Sequence, residues 1–132
     1  MKKKILIVMA DYYETVSHNL LHHVKKVLQE PFDLISVPGV FEIPVTIAKN
    51  IKKYDGLIAL GCVIKGETPH FDLISKAAID GIMKLSIEYK KPIGNGIITC
   101  FNHKQAIARQ KKGQEAAAAL LSVLDPVKVS AE

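Results

Sequence analysis

A strand-to-helix junction near the middle of the chain carries the residues best suited to chemistry. Segment 66–71 follows an apolar run at 56–64, typical of a buried strand, and opens a long helical pattern. Such a junction offers backbone N–H groups and the positive end of a helix dipole, which together favour an anion. Thr68 suits the N-cap and Pro69 the first helical position, so His70 would lie in the first turn, able to move protons near neutral pH. This arrangement predicts acid–base chemistry on a phosphorylated small molecule.

The same residues also have a purely structural explanation. Thr-Pro is an ordinary start to a helix, and a histidine in the first turn is often only solvated. The catalytic interpretation stays open because ligands favour the carboxyl ends of parallel strands, where this junction would lie.

Buried strands alternate with helical patterns along the chain. Apolar runs predict strands at 5–9, 32–37, 57–64 and 93–99, and periodicity predicts helices at 15–30, 43–53, 69–90, 103–109 and 113–124. This order favours right-handed crossovers and an α/β fold in which helices cover both faces of a four-stranded parallel sheet. We expect one domain over residues 1–132, with a loose tail at 125–132.

Composition narrows the function classes. Of 132 residues, 48% are hydrophobic and 23% charged, which is ordinary for a folded globular protein. The formal net charge of +5 comes from scattered lysines, so we expect attraction for anionic substrates and no nucleic acid partner. No apolar stretch reaches transmembrane length, and the first apolar run is too short for a signal peptide, so no membrane partner is expected. Cys62 and Cys100 form no CxxC motif and suit free thiols in a reducing cytoplasm.

Loops that follow the predicted strands would gather further candidates at one edge of the sheet. Aromatic side chains there could stack on a flat ring or simply fill an interface: Tyr12, Tyr13 and Phe41. Glu42 could accept hydrogen bonds from substrate hydroxyls or only complement a helix dipole. Three basic residues could neutralise phosphate, the guanidinium being the best fit: Lys65, Arg109 and Lys112.

Two helical patterns have a structural and a functional interpretation. His18 and His22 are spaced i, i+4 as in zinc-binding helices, but no third ligand accompanies them, so we expect no metal site. The long helix carries apolar residues on a second stripe that includes Leu73 and Met83. Either a second copy of the chain or a broad internal core would cover that stripe.

Four sequence blocks together resemble the lumazine synthase family of riboflavin biosynthesis. They are 37–44 and 54–71, which are highly specific, and 93–99 and 112–117, which are less so. The resemblance implies a flavodoxin-like, three-layer fold. It also implies a transferase that condenses 5-amino-6-ribitylaminouracil with 3,4-dihydroxy-2-butanone 4-phosphate. The products are 6,7-dimethyl-8-ribityllumazine, phosphate and water, and neither a cofactor nor a metal is used.

The resemblance also implies roles for individual residues. His70 would be the general acid and base. Phosphate would be held by Gly66, Glu67, Thr68 and Arg109. The pyrimidine and its ribityl chain would contact Tyr12, Val40, Phe41, Glu42, Cys62, Val63 and Ile64. A neighbouring subunit of a homo-oligomer would supply Asn95 and Lys112.

Several positions depart from the family pattern. Asp11 precedes Tyr12 where the family usually has Arg before Phe, and Asn95 replaces a residue that is often Phe. Segment 109–113 is short, and the chain starts at its first core strand, so we expect a free pentamer over an icosahedral shell. Riboflavin synthase is a further partner that the resemblance implies.

Three other functions stay open from the residues alone. Lys65 beside a phosphate site could form a Schiff base, as in an aldolase, although a lysine there is more often electrostatic. A signalling receiver would need an acidic pair after the first strand and an aspartate ending the third. Here Asp11 stands alone and the third strand runs through Gly61-Cys62. A non-catalytic flavin or lumazine carrier would bind the same ligands without turnover.

Overall fold

Strands and helices alternate as predicted in the computed structural model, which describes residues 3–131. The strands are β1 Ile5–Ala10, β2 Phe32–Val37, β3 Gly56–Ile64 and β4 Ile93–Cys100. The helices are α1 Glu14–Val27, α2 Ile43–Asn50, α3 His70–Tyr89, α4 His103–Ala108 and α5 Lys112–Leu124. Single 3₁₀ turns at Val40–Glu42 and Ile51–Lys53 flank α2.

The start of α3 differs from the prediction by one residue. The Pro69 carbonyl accepts hydrogen bonds from the N–H groups of Asp72 at 3.1 Å and Leu73 at 3.2 Å, so Pro69 is the N-cap and His70 the first helical residue. The Thr68 hydroxyl therefore lies one position before the cap, where it accepts a long bond of 3.4 Å from the His70 N–H. The prediction of Thr68 as N-cap was wrong because the proline carbonyl itself receives the first helical bonds.

All strand pairs are parallel, in the order β2-β1-β3-β4. In the register, Met9 of β1 faces Leu60 of β3, and Ile64 at the end of β3 faces Cys100 at the end of β4. This topology confirms the α/β fold with a four-stranded parallel sheet. It also brings the segments that follow β1, β3 and β4 to one edge, as parallel crossovers require.

Helices cover both faces of the sheet. On one face α1, α4 and α5 pack on β1, β3 and β4 around Leu20, Ile58 and Leu120. On the other face α2 and α3 pack around Ile43, Ile47 and Ile82. Both faces of β1 are buried, and for this reason its sequence is a continuous apolar run without alternation.

The second apolar stripe of α3 is not covered by the sheet. Ile74, Ala78 and Ile82 face the core, whereas Leu73 and Met83 are 66% and 59% exposed. The internal-core explanation for this stripe is therefore wrong. Within residues 3–131, no helix is both long enough and apolar enough to cross a membrane. Residues 126–131 form no helix or strand and are exposed.

Close approach of α1 and α5 depends on Gly113. A Cβ added there would overlap the Leu20 carbonyl oxygen and would lie 3.2 Å from the backbone nitrogen of Val24. Backbone atoms inside a helix cannot move aside as a flexible side chain would, so the two helices would have to separate.

We expect Gly113→Ala to lower the free energy of unfolding by about 1–3 kcal/mol, the range for overpacking. Gly66→Ala is the matched control, because nothing lies within 4 Å of its added Cβ. Denaturant unfolding at equal chain concentration measures both. An unchanged midpoint for Gly113→Ala would contradict the packing described here.

Candidate active site

A cleft of about 600 Å³ opens at the carboxyl edge of the sheet, between the segment after β1, the turn before α2 and the start of α3. Its lining includes most of the residues expected to contact the pyrimidine and ribityl groups, together with His70. These are Tyr12, Val40, Phe41, Glu42, Cys62, Val63, Ile64 and His70. Residues that are far apart in sequence thus meet because three strand ends share one edge.

Two aromatic residues stand exposed on the cleft walls. Tyr12 is 76% exposed and Phe41 is 60% exposed, on segments that follow β1 and β2. The Tyr12 and Tyr13 rings lie nearly perpendicular to each other, with 4.9 Å between their centroids. Tyr13 is half-buried against the core, and burial raises the pKa of its hydroxyl. Tyr13 thus supports Tyr12, whose side chain is exposed enough to stack on a flat ligand.

The wall after β1 is fixed by Asp11. Its carboxylate accepts a hydrogen bond of 2.6 Å from the Ser36 hydroxyl, and its N–H donates to the Val37 carbonyl at 3.0 Å. Asp11 is therefore tied to β2 and positions Tyr12 at the mouth of the cleft. The Asp11 side chain thus serves a local structural bond.

Glu42 is the carboxylate in the lining of the cleft. It is half-buried at the end of the 3₁₀ turn that leads into α2. Its backbone is held at both sides, since its N–H donates to Gly39 at 3.1 Å and its carbonyl accepts from the Thr46 hydroxyl at 2.8 Å. A carboxylate on this fixed backbone can accept hydrogen bonds from ligand hydroxyl or amine groups.

His70 is the proton-transfer candidate that the structure places in the cleft lining. It is exposed at the first position of α3. The preceding loop is exposed too, and within residues 3–131 the N–H groups of Gly66, Glu67 and Thr68 have no acceptor. These donors and the helix dipole can hold an anion next to the imidazole.

The two cysteines are buried thiols on neighbouring strands. Cys62 lines the base of the cleft, and both thiols are free. Burial, with a smaller effect from Cys100, raises the pKa of Cys62 to about 12. Such a thiol stays protonated near neutral pH and is a poor nucleophile, so Cys62 contributes surface to the cleft.

Three other candidate residues lie outside this cleft. Arg109 and Lys112 line a second cleft of about 450 Å³ between β4 and the α4–α5 junction. The Arg109 guanidinium donates to the Thr99 carbonyl at 2.9 Å. Asn95 lies farther back on β4, opposite Ala59, and its side-chain oxygen accepts from the Ile97 N–H at 3.0 Å. One copy of the chain therefore does not bring these three residues to His70.

The structure adds to the cleft two residues that sequence reasoning left out and one aromatic residue whose role it left open. Gly39, Ile74 and Tyr13 also line it. Tyr13 was a candidate aromatic, and the Pro-Gly pair after β2 signals a turn at the sheet edge, whereas nothing in the sequence separated Ile74 from other core positions. Among residues 3–131, no group of three histidine, cysteine, aspartate or glutamate side chains is placed to hold a metal.

Sequence comparisons agree with the geometry. The family model for 6,7-dimethyl-8-ribityllumazine synthase matches residues 2–128. The chain belongs to this family. A protein of that name from Bartonella bacilliformis is 44% identical over 118 residues, which cover 84% of this chain and 78% of that protein. Another of that name, from Agrobacterium fabrum, is 40% identical over 139 aligned positions, covering 94% of each chain. The resemblance seen in the four sequence blocks is thus confirmed.

We expect Cys62 in the folded protein to react with iodoacetamide at pH 8 far more slowly than in the unfolded chain. A raised pKa means less thiolate at a given pH, and a shift from 9.0 to about 12 lowers the thiolate fraction roughly a thousandfold. Mass spectrometry of digested samples, with denatured protein as the control, measures each cysteine. Equal rates in the two states would contradict the buried thiol.

Proposed function

We propose that this chain condenses 5-amino-6-ribitylaminouracil with 3,4-dihydroxy-2-butanone 4-phosphate to 6,7-dimethyl-8-ribityllumazine. Family membership over residues 2–128 carries this assignment. The cleft supports it, because an aromatic wall, a carboxylate and a histidine beside an anion-binding loop are the groups that this reaction needs. The enzyme is a transferase of riboflavin biosynthesis.

His70 moves the protons of the reaction. The amine of the pyrimidine adds to the ketone to give a carbinolamine, which loses water to form an imine. Phosphate then leaves, and ring closure releases a second water. Each dehydration needs a proton delivered to a departing hydroxyl, which an imidazole can supply as a general acid. Holding two small reactants together contributes much of the remaining acceleration.

The pyrimidine binds against the aromatic walls. Tyr12 and Phe41 present exposed rings on which a flat heterocycle stacks. Glu42 accepts hydrogen bonds from the ribityl hydroxyls. The apolar base of the cleft contacts the ring through Val40, Cys62, Val63 and Ile64.

Phosphate binds at the N-terminus of α3. The N–H groups of Gly66, Glu67 and Thr68 point to no protein acceptor within residues 3–131, and the helix dipole adds positive potential there. Arg109 and Lys112 share the second cleft of the same chain. We therefore assign both, with Asn95, to a neighbouring subunit whose second cleft faces this one.

Assembly follows from surfaces that one chain leaves uncovered. The exposed stripe of α3 includes Leu73, Met83 and Ile87, and such an apolar surface is typical of a subunit contact. Only residues 109–111 separate α4 from α5, which favours a free homopentamer over a shell. We place this pentamer of single-domain chains in the cytoplasm, where two free thiols stay reduced. Riboflavin synthase is a proposed partner through the resemblance alone.

Mixing the purified protein with both substrates should produce lumazine absorbance and fluorescence above the uncatalysed background. In the same assay His70→Ala should lower kcat by about 100-fold, the lower end of the range for general acid–base catalysis, and leave measurable activity, because proximity of the reactants is retained. His18→Ala is the matched control, since this exposed histidine lies on α1 away from the cleft. Absence of product from the wild type would reject the proposed function and favour a non-catalytic flavin or lumazine carrier. Full activity of His70→Ala would reject the role of the imidazole.

Hybrid assemblies test the shared site. We expect His70→Ala and Lys112→Ala, each weakly active alone, to regain activity when co-assembled, because about one quarter of the sites would then combine two wild-type contributions. His70→Ala mixed with Glu42→Ala is the control, since both residues line the cleft of one chain.

Recovery in the control pair, or none in the test pair, would contradict a site shared between subunits. Sedimentation of the same samples should give a pentamer; a shell-sized particle would contradict the proposed assembly.

A further inference from the structure

Phe101 touches both ends of the loop that precedes α3. Before the loop, the ammonium of Lys65 lies over the Phe101 ring, 5.4 Å from its centroid. After the loop, Phe71 in the first turn of α3 stacks on the same ring, with centroids 6.5 Å apart and planes 26° from parallel. The loop between these two contacts, residues 66–69, is the anion-binding segment of the proposed function and is called the phosphate loop below.

The Phe101 backbone is itself firmly held. Its N–H donates to the Gln105 side-chain oxygen at 2.8 Å, and the Gln105 N–H donates to the Asn102 side-chain oxygen at 2.9 Å. The second bond caps α4 at Asn102, and the two bonds together fix the segment directly after β4. The Lys65 N–H also donates to the Cys100 carbonyl at 2.8 Å, so the strand ends on both sides of the ring are joined.

Exposure of the ring indicates that it has another role besides packing. Phe101 is 62% exposed, and a phenyl ring left this open contributes little to burial of apolar surface. Yet it makes an aromatic stack and a cation–π contact, both of which depend on orientation. The loop between these two contacts is weakly held by its own hydrogen bonds. The His70 N–H donates to the Thr68 hydroxyl, but over a long distance of 3.4 Å.

We propose that Phe101 is a positioning residue that clasps the phosphate loop. By joining Lys65 to Phe71 it closes the loop, aims the backbone N–H groups at the phosphate of the ketone substrate and keeps the Lys65 charge beside them. Phe71 adjoins His70, so the same clasp sets the start of the helix that carries the imidazole. This inference rests on the proposed function.

The test compares Phe101→Leu, which keeps an apolar side chain but removes the ring, with Phe101→Tyr, which keeps the ring. Loss of an exposed cation–π contact and a stack should raise KM for the phosphorylated ketone by about two- to tenfold. Binding of inorganic phosphate, measured by calorimetry without turnover, should weaken by the same factor. KM for the pyrimidine should not change, and Phe101→Tyr should behave as the wild type.

A double variant links the effect to Lys65. Lys65→Met keeps the length of the side chain and removes its charge. If the two residues act through one contact, the double variant with Phe101→Leu should raise KM for the phosphorylated ketone by less than the product of the two single increases. The clasp would be overturned if the increases in KM of the two single variants multiply in the double variant. It would also be overturned if Phe101→Leu leaves phosphate binding unchanged, or raises KM equally for both substrates. A changed sedimentation coefficient of Phe101→Leu would also overturn it, by assigning the ring to a subunit contact. Absence of turnover in the wild type would reject the proposed function. The clasp would still be tested in that case, by whether Phe101→Leu weakens the binding of inorganic phosphate.

Discussion

The parallel register of β1, β3 and β4 is the constraint on which the site depends. Because Met9 faces Leu60 and Ile64 faces Cys100, the segments after these strands emerge at one edge of the sheet. Tyr12, His70 and Phe101 each follow a different strand by only a few residues. The core is apolar on both faces, and a slip of one residue would exchange every side chain of a strand between two differently packed cores, so this register is strongly specified.

Charge is distributed unevenly around this edge. Among residues 3–131, the cleft that holds His70 is lined by a carboxylate but by no lysine or arginine, whereas Arg109 and Lys112 lie in the second cleft beside β4. A phosphorylated substrate with a leaving anion needs both sets of groups. In the proposed assembly one chain supplies the stacking surface, the carboxylate, the imidazole and Lys65 beside the phosphate loop, and its neighbour supplies Arg109 and Lys112.

The sequence predicted the fold well because the local signals agreed with one another. Continuous apolar runs identified β1 and β3 as doubly buried strands, and helical periodicity identified α1 and α3. The ends were less accurate: α1 stops at Val27, where the predicted helix ran to 30, and α3 begins at His70 because the Pro69 carbonyl takes the first helical bonds. End positions depend on single hydrogen bonds, which periodicity does not report.

The candidate site was predicted in part. The cleft contains nine residues that the sequence singled out, from Tyr12 to His70. Some were named because they follow predicted strands, and the others through the resemblance to the family. Tertiary contacts decided the rest. No local pattern shows that Tyr13 supports Tyr12, that the Arg109 guanidinium bonds to Thr99, or that Phe101 joins Lys65 to Phe71. Each of these contacts links residues whose positions only the folded sheet determines.

The central claim is that an anion and a flat heterocycle bind side by side at the carboxyl edge of this sheet, with the imidazole between them. The most direct measurement is a crystal structure of the assembled protein with inorganic phosphate and an unreactive ribitylaminopyrimidine. We expect phosphate on the N–H groups of Gly66–Thr68, the ring stacked against Tyr12 or Phe41, and Arg109 reaching in from the adjacent copy. A ring bound elsewhere, or His70 turned away from both ligands, would contradict the account.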